Sequence, residues 1–139
     1  MRLVVDTNVV VSALRSRRGA SNALLVTVLQ GNANWLCSVP LFFEYESVLK
    51  RPAFLLDTGY RMEQIDQFMR DIAASVEGVD LHFQWRPQLP DPNDEMVLET
   101  AVNGKADAIV THNRKDFLPS ASQFAVRVAE PNTILKEIA

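Results

Sequence analysis

The seven residues RLVVDTN, at positions 2–8, decide the fold class of this chain. The unbroken apolar run at 3–5 is typical of a short strand that is buried on both faces of a parallel sheet. Asp6 ends this run, and Thr7 with Asn8 can cap the helix that follows. The stretch therefore predicts a strand joined directly to a helix, with an acidic side chain at the junction.

The alternation of strand and helix patterns continues to the end of the sequence. Strands are expected at residues 3–5, 35–39, 108–111 and 126–129, with a weak edge strand at 79–85. Helices are expected at residues 7–14, 21–31, 38–51, 62–78 and 91–104, and after a cap at Asn132 or Thr133. Gly104 stands where a C′ glycine closes a helix. The pattern predicts an α/β fold, a three-layer α/β/α sandwich with a central, mainly parallel sheet, in a single domain spanning residues 1–139.

The composition is that of a globular domain and excludes several classes of protein. A hydrophobic fraction of 47% with 22% charged residues argues against disorder. No apolar run approaches the roughly 18 residues that a membrane span needs, and the first residues are too polar for a signal peptide. We therefore expect a cytoplasmic protein with no membrane partner. Cys37 is the only cysteine, which excludes an internal disulfide and a cysteine metal site.

The charge balance limits how the chain could bind nucleic acid. A net charge of −3 argues against wholesale electrostatic wrapping. It leaves room for a local basic rim beside bound cations. The densest basic patch is Arg15, Arg17 and Arg18, which is either a solvated loop or a rim that contacts phosphates.

Polar side chains follow two of the expected strands directly. Asp6 follows the first strand, and Thr111, His112 and Asn113 follow the strand that begins at residue 108. Ligand sites of open α/β sheets form beyond the carboxyl ends of strands, where the strand order reverses. Asp6 could instead cap the next helix, although Thr7 can do that alone.

Asp116 comes three positions after Asn113, so the two side chains are expected to project from the same turn. The alternative is that Asp116 belongs only to a short capped helix.

The helix at 91–104 carries an acid on its apolar side. On a helical wheel Asp94 lies within the apolar stripe, whereas Glu95 and Glu99 point toward water. A carboxylate on a buried face needs a partner, and a metal ion is one such partner. The alternative is a capping box with Asp91, stabilised by the helix dipole.

A third group of candidates is ambiguous on the wheel. Glu44 and Glu46 flank opposite sides of one apolar arc, so geometry alone does not choose between them. His82 is expected to be structural, and His112 is either structural or part of a site rim.

Carboxylates delivered from separate segments suit Mg²⁺ or Mn²⁺, which prefer oxygen ligands with water completing the shell. The sequence offers no plausible Ser–His or Cys–His pair, which fits a metal-activated water in place of a side-chain nucleophile.

Four short motifs together resemble the PIN-domain family over essentially the whole chain. They are VVDTN at 4–8, PLFFEYESVLKRP at 40–52, Asp94 with Leu98 and Ala101, and IVTHNRKDF at 109–117. The second motif resembles the Glu-bearing helix of the family and selects Glu44 over Glu46. The fourth resembles the final strand and its acidic turn.

This resemblance implies a Mg²⁺- or Mn²⁺-dependent ribonuclease that cleaves single-stranded RNA. It implies Asp6, Glu44, Asp94 and Asp116 as catalytic acids, and the same four with Asn113 as metal ligands. It also implies the toxin half of a bacterial or archaeal toxin–antitoxin pair, with an antitoxin protein as partner and a homodimer or higher oligomer as the assembly.

One position departs from the family pattern. Asn113 stands where the family commonly has Asp. An asparagine carbonyl can coordinate a metal but brings no charge. Either Asp116 substitutes for the missing carboxylate, or a second metal binds weakly.

Two other functions compete with a nuclease. A phosphohydrolase with an aspartyl nucleophile would want a second Asp two residues after Asp6, where this chain has Asn8. A catalytically weak or inactive PIN-like module that binds RNA or protein is the other alternative, and Asn113 is its best argument.

Overall fold

A computed structural model of the protein describes residues 1–82 and 89–139. Five parallel strands form one sheet in the order β3-β2-β1-β4-β5. They are β1 (Arg2–Val5), β2 (Asn34–Cys37), β3 (Glu77–Gly78), β4 (Ala108–Val110) and β5 (Arg127–Ala129). In the register of the sheet, Val4 lies between Leu36 of β2 and Ile109 of β4.

Eight α-helices are present in the described residues and cover the two faces of the sheet. They are α1 (Thr7–Arg15), α2 (Ala20–Thr27), α3 (Val39–Leu49), α4 (Pro52–Thr58), α5 (Met62–Ser75), α6 (Pro92–Asn103), α7 (Leu118–Gln123) and α8 (Pro131–Ile138). Helix α2 packs against both α1 and α8, while α3 packs against α5 and α6. None of these helices, in residues 1–82 and 89–139, is long and apolar enough to cross a membrane.

The central strand is deeply buried. Leu3, Val4 and Val5 are fully excluded from solvent. Each such side chain stabilises the fold by about 1.5–3 kcal/mol relative to an exposed one. Tyr45 of α3 is also buried, and its hydroxyl donates a hydrogen bond to the carbonyl of Val5 at the end of the strand. This bond fixes α3 to the edge of the sheet where Asp6 lies.

The α/β class and the three-layer, parallel arrangement are confirmed, and several element boundaries differ from the sequence expectation. Helix α3 was expected to be closed by Pro52 but ends at Leu49, and Pro52 begins α4, because proline suits the first turn of a helix. The last helix likewise begins at Pro131, after Glu130, so the expected cap at Asn132 or Thr133 is wrong. Helix α7 has only six residues and was not expected.

The edge strand was expected at residues 79–85. The strand that pairs with β2 is the two-residue β3, at Glu77 and Gly78, and residues 79–82 are not part of it. Residues 83–85 lie outside the described residues. The apolar alternation that suggested the strand therefore begins just after it.

Gly104 ends α6 for a reason other than the expected left-handed backbone. Its φ is −85°, and the left-handed residue is the next one, Lys105, with a φ of 52°. A Cβ at Gly104 would lie 2.9 Å from the carbonyl oxygen of Thr100 and 2.9 Å from a methyl group of Val79. Glycine is needed here because the helix end packs too closely for any side chain.

Gly104→Ala is expected to lower the free energy of unfolding by about 1–3 kcal/mol, since overpacking of a close contact forces the backbone to move. Gly78→Ala is the matched control, because a Cβ there meets nothing within 4 Å, and it should change stability by less than about 0.5 kcal/mol. Urea denaturation of both variants measures the difference. Equal stabilities would show that the helix end adapts without cost.

Candidate metal centre

The centre of the sheet is where the strand order reverses. The chain runs from β1 outward through β2 to β3, then crosses to β4 and β5 on the other side of β1. The crevice between the carboxyl ends of β1 and β4 is the position at which open α/β sheets place their sites. The backbone N–H of Asp6 donates to the carbonyl of Val110 at 2.9 Å, so the two strand ends are joined there.

Asp6 is buried at this junction, with 7% of its surface exposed. It occupies the residue before α1, yet its side chain makes no capping bond to that helix. Instead Oδ2 of Asp6 accepts a hydrogen bond from the Thr111 hydroxyl at 2.7 Å. Burial raises the pKa of Asp6, and hydrogen bonds from the Thr111 side chain and the Thr7 backbone lower it; the charges of Asp116 and Asp91 raise it further.

The direction of the Thr111 bond is fixed by its neighbours. The Thr111 oxygen lies 3.0 Å from the backbone N–H of Asn113 and 3.4 Å from Nδ2 of Asn8, both of which can only donate to it. The hydroxyl has one proton and two lone pairs. Because the lone pairs accept from these two donors, the hydroxyl donates its own hydrogen bond to Asp6. The Asn8 amide is itself oriented by the backbone N–H of His112, which donates to Oδ1 at 3.3 Å.

An open cleft of about 510 Å³ contains three of the acids. Its described lining consists of Leu89, Pro90, Asp91, Asp94, Lys115, Asp116, Pro119 and Ser120. The pKa of Asp94 is raised to about 7, first by burial and then by the charges of Asp6, Asp91 and Asp116. Asp94 and Asp116 therefore lie together at the cleft, within electrostatic reach of Asp6.

The two glutamates of α3 have different charged neighbours. Burial raises the pKa of Glu44, opposed by Arg51, and the charges of Asp91 and Asp6 raise it further. Glu46 instead lies 3.4 Å from Nζ of Lys50 in an ion pair along the same helix. The structure brings Glu44 toward the acids and leaves Glu46 in a pair on the helix surface.

The expectation that Glu95 and Glu99 point to water is wrong. They are only 4% and 3% exposed, and Glu95 accepts a hydrogen bond from the backbone N–H of Leu89 at 2.7 Å. Helix α6 packs against β1, β2 and β4 on one side and against α3 on another. A helix enclosed in this way has no single solvent face, so the wheel misassigned these two acids.

Asn113 lies beside the cleft, not among its lining residues. Its side chain lines an adjoining depression that shares Lys115 and Asp116 with the cleft. Its backbone N–H contributes to the orientation of Thr111. The part that its side chain plays toward a metal stays a prediction.

The two histidines lie in different surroundings. Nε2 of His112 lies 2.9 Å from the Ser21 hydroxyl, a Ser–His contact that the sequence did not suggest. Ser21 is only 2% exposed, so its oxygen is not accessible as a nucleophile. His82 is exposed, and its backbone N–H donates to Asn103.

Arg15 lies 3.9 Å from Asp57 and over the ring of Phe54. It lines a different depression with Arg17, and none of the candidate acids lines that depression.

The acid cluster has the chemistry of a site for a hard cation. Within residues 1–82 and 89–139, none of Asp6, Asp94 and Asp116 has a Lys, Arg or His partner in an ion pair. In the same residues, no three acidic, His or Cys side chains stand ready to hold one metal ion together. Mg²⁺ usually binds one or two carboxylates and keeps several waters, so hydrated Mg²⁺ or Mn²⁺ fits an oxygen-only set that is spread in this way.

The family model of the PIN domain matches residues 2–115. The chain belongs to the PIN-domain family. The match includes Asp6, Glu44, Asp94 and Asn113 and ends one residue before Asp116. A comparison with curated proteins finds no match.

Two solved structures resemble this PIN domain across most of its length. One is VapBC2 from Rickettsia felis bound to a DNA fragment from its promoter, at 16% identity and a TM-score of 0.64. The other is VapBC-1 from nontypeable Haemophilus influenzae, at 18% identity and a TM-score of 0.64. Each comparison covers 94% of this chain and 98% of the other, and at such identities the likeness shows the fold.

Sequence reasoning missed two contributors to the cluster. Asp91 was considered only as a cap, and its side chain does accept from the backbone N–H of Asn93 at 2.9 Å. Its charge also acts on Asp6, Glu44 and Asp94. The spacing of three between Asp91 and Asp94 in the first turn was the available signal. Thr111 was missed as the residue that orients Asp6, and nothing in the sequence around it indicated that bond.

The crowded charges give the metal-free protein a specific pH dependence. The folded-state pKa of Asp94, about 7, lies above its usual value of 3.8. Folding then favours the protonated form, so this contribution to stability is present below about pH 3.8 and is lost as the pH rises through 7. Asp94→Asn removes the ionisation, and its melting temperature relative to wild type should rise between pH 4 and 7 and level off above. Thermal melts in chelator measure this.

Asp80→Asn is the control, since Asp80 is exposed and outside the cluster. Its difference from wild type should not vary with pH. A flat difference for Asp94→Asn as well would show that Asp94 does not sit among ionised neighbours.

Proposed function

We propose that this PIN domain is a Mg²⁺- or Mn²⁺-dependent endoribonuclease that cleaves single-stranded RNA, with residues 1–139 acting as a single domain. The observation that carries the proposal is that Asp91, Asp94 and Asp116 line one open cleft near the point where the strand order reverses. Within residues 1–82 and 89–139, none of Asp6, Asp94 and Asp116 has a cationic partner in an ion pair. Like charges held together in this way favour a bound cation. Asp6, Glu44, Asp94 and Asp116 are the proposed catalytic and metal-binding acids, with Asn113 as a neutral ligand and Asp91 as an added member.

A bound divalent ion would supply a water of lowered pKa and would stabilise the charge that develops on the phosphate oxygens. The residues of the chain serve this chemistry by position. Thr111 holds the carboxylate of Asp6 in one orientation through its 2.7 Å bond. Asp94 and Asp116 line the open cleft, where solvent and a flexible polymer can enter.

The substrate class follows from charge. Carboxylates repel a phosphodiester, so an acidic cleft can accept one only with a cation between them. A single strand suits an open surface cleft because its backbone can bend into it. That this polymer is RNA is inferred from the resemblance of the whole sequence to the PIN-domain family.

The partner is proposed to be an antitoxin protein, and the assembly a homodimer or higher oligomer, in the cytoplasm. Both structural neighbours are VapBC proteins. Two side chains on α3, Val39 and Phe43, are 68% and 58% exposed one helical turn apart. Large apolar side chains at this exposure favour a protein contact.

A weak or inactive PIN-like module is the second candidate. It is favoured by the neutral Asn113 and by the absence, in the described residues, of three ligands ready to hold one ion. Such a module would bind RNA or protein with no dependence on Mn²⁺.

Cleavage should depend on the acids that the structure brings together. Asp6→Asn, Asp94→Asn and Glu44→Gln should each lower the rate of Mn²⁺-dependent cleavage of a single-stranded RNA by at least about a hundredfold, since a metal supplies several kcal/mol to the transition state. Glu46→Gln is the matched control on the same helix and should retain the wild-type rate. The assay uses a fluorescent RNA with and without chelator.

The reverse result for Glu44 and Glu46 would place the active glutamate on the other side of α3. Wild-type protein that binds the RNA but never cleaves it in Mn²⁺ would establish the module in place of the nuclease.

A further inference from the structure

Two exposed cations lie directly beside the acid cluster. Arg114 and Lys115 belong to the 3-10 turn that ends at Asp116, one of the acids of the cleft. Within the described residues neither side chain has an ion pair or a hydrogen bond. Their charge is therefore available to a ligand.

Other cations of the chain show the contrast. Arg2, Lys50 and Arg127 each lie 2.6 Å from an acidic oxygen, of Glu77, Asp66 and Glu137 respectively. Arg114 and Lys115 have no such partner in the described residues, although Asp116 follows them directly in the sequence.

The turn separates two hollows. The first is the acidic cleft, and the second is an adjoining depression of about 440 Å³. Lys115 and Asp116 line both. The second depression is lined by His112, Asn113, Arg114, Lys115, Asp116, Leu118 and Glu130.

The two hollows differ in charge. The first has three acids and one lysine in its described lining. The second has Arg114 and Lys115 with the polar groups of His112 and Asn113, against Asp116 on the shared wall and Glu130. A polymer that runs from the first to the second crosses Lys115 and passes from a lining with two more acids than cations to one in which two cations balance two acids.

We infer that Arg114 and Lys115 form a phosphate-binding subsite, which holds the backbone of a single-stranded nucleic acid one or more phosphates away from the cleavage position. This inference rests on the proposed nuclease function and adds where the rest of the strand binds. The acids alone repel a polyanion, and the adjoining cations offset that repulsion. Arginine can bind a phosphate in a bidentate manner, and lysine binds it as a point charge.

Contacts to phosphates have a recognisable signature. They carry no sequence information. Each contact on a single strand adds about 0.7 to the slope of log affinity against log salt. Loss of both cations should therefore reduce this slope by about 1.4 and weaken the binding of unrelated sequences equally.

The test measures binding in an Asp94→Asn background, in Mg²⁺, so that the strand is not cut. Fluorescence anisotropy gives the dissociation constants of two unrelated single-stranded RNA oligonucleotides and one DNA oligonucleotide over a range of salt concentrations. Arg114→Gln with Lys115→Gln should raise all three constants by roughly tenfold at low salt and lower the slope by about 1.4. Arg17→Gln with Arg18→Gln is the matched control, since these exposed arginines lie away from both hollows; it should leave both values unchanged.

Cleavage by protein with intact Asp94 separates this inference from the proposed function. If that protein cleaves RNA in Mn²⁺ and the Arg114 and Lys115 variant keeps the wild-type salt slope, the subsite is wrong and the nuclease stands. If it does not cleave but the slope falls as expected, the subsite stands and the nuclease is wrong. A loss that depends on the RNA sequence would overturn phosphate binding in favour of base contacts. An unchanged slope together with weaker binding of a purified protein partner would assign the pair to that partner.

Discussion

The hydrogen bond from Thr111 to Asp6 joins the ends of β1 and β4, the two strands between which the sheet reverses its order. It does so where burial alone would push the carboxyl of Asp6 toward its neutral form. The bond lowers the pKa of Asp6 again, because a hydrogen bond donated to the carboxylate stabilises its charged form. The Thr111 hydroxyl oxygen accepts from two N–H groups, of Asn8 and Asn113, so the hydroxyl proton is donated to Asp6. The sheet in this way presents a buried carboxylate in a defined orientation.

The remaining acids depend on the same framework. Helix α6 brings Asp91 and Asp94 to the cleft, the turn after β4 brings Asp116, and α3 brings Glu44, each from a different part of the chain. Burial, and after it the charges of Asp6, Asp91 and Asp116, raises the pKa of Asp94, so holding these acids together costs stability. The packed core around β1 offsets this cost. A cluster of acids that costs the fold stability is typical of a functional site.

Much of this arrangement follows from local sequence. The apolar run before Asp6 and the matching run before Thr111 predict two strands, because such short runs are typical of strands buried on both faces. Asp94 could be found because one acid on an apolar stripe is conspicuous. What could not be predicted depends on tertiary contacts. Glu95 and Glu99 are buried because α6 is enclosed by the sheet and α3. Gly104 is required by Val79 and Thr100 packing against it, although its own backbone is ordinary.

The most direct test of the account is a crystal structure of the protein soaked in MnCl₂, with anomalous diffraction recorded to locate the metal. We expect an anomalous peak in the acidic cleft, from an ion bound to one or two carboxylate oxygens of Asp6, Glu44, Asp94 or Asp116 at about 2.0–2.2 Å and otherwise to water. The peak should disappear from crystals of Asp94→Asn prepared in the same way. A cleft without a peak at Mn²⁺ concentrations that support cleavage, or an ion bound only elsewhere on the surface, would contradict the central claim that these acids form a metal centre.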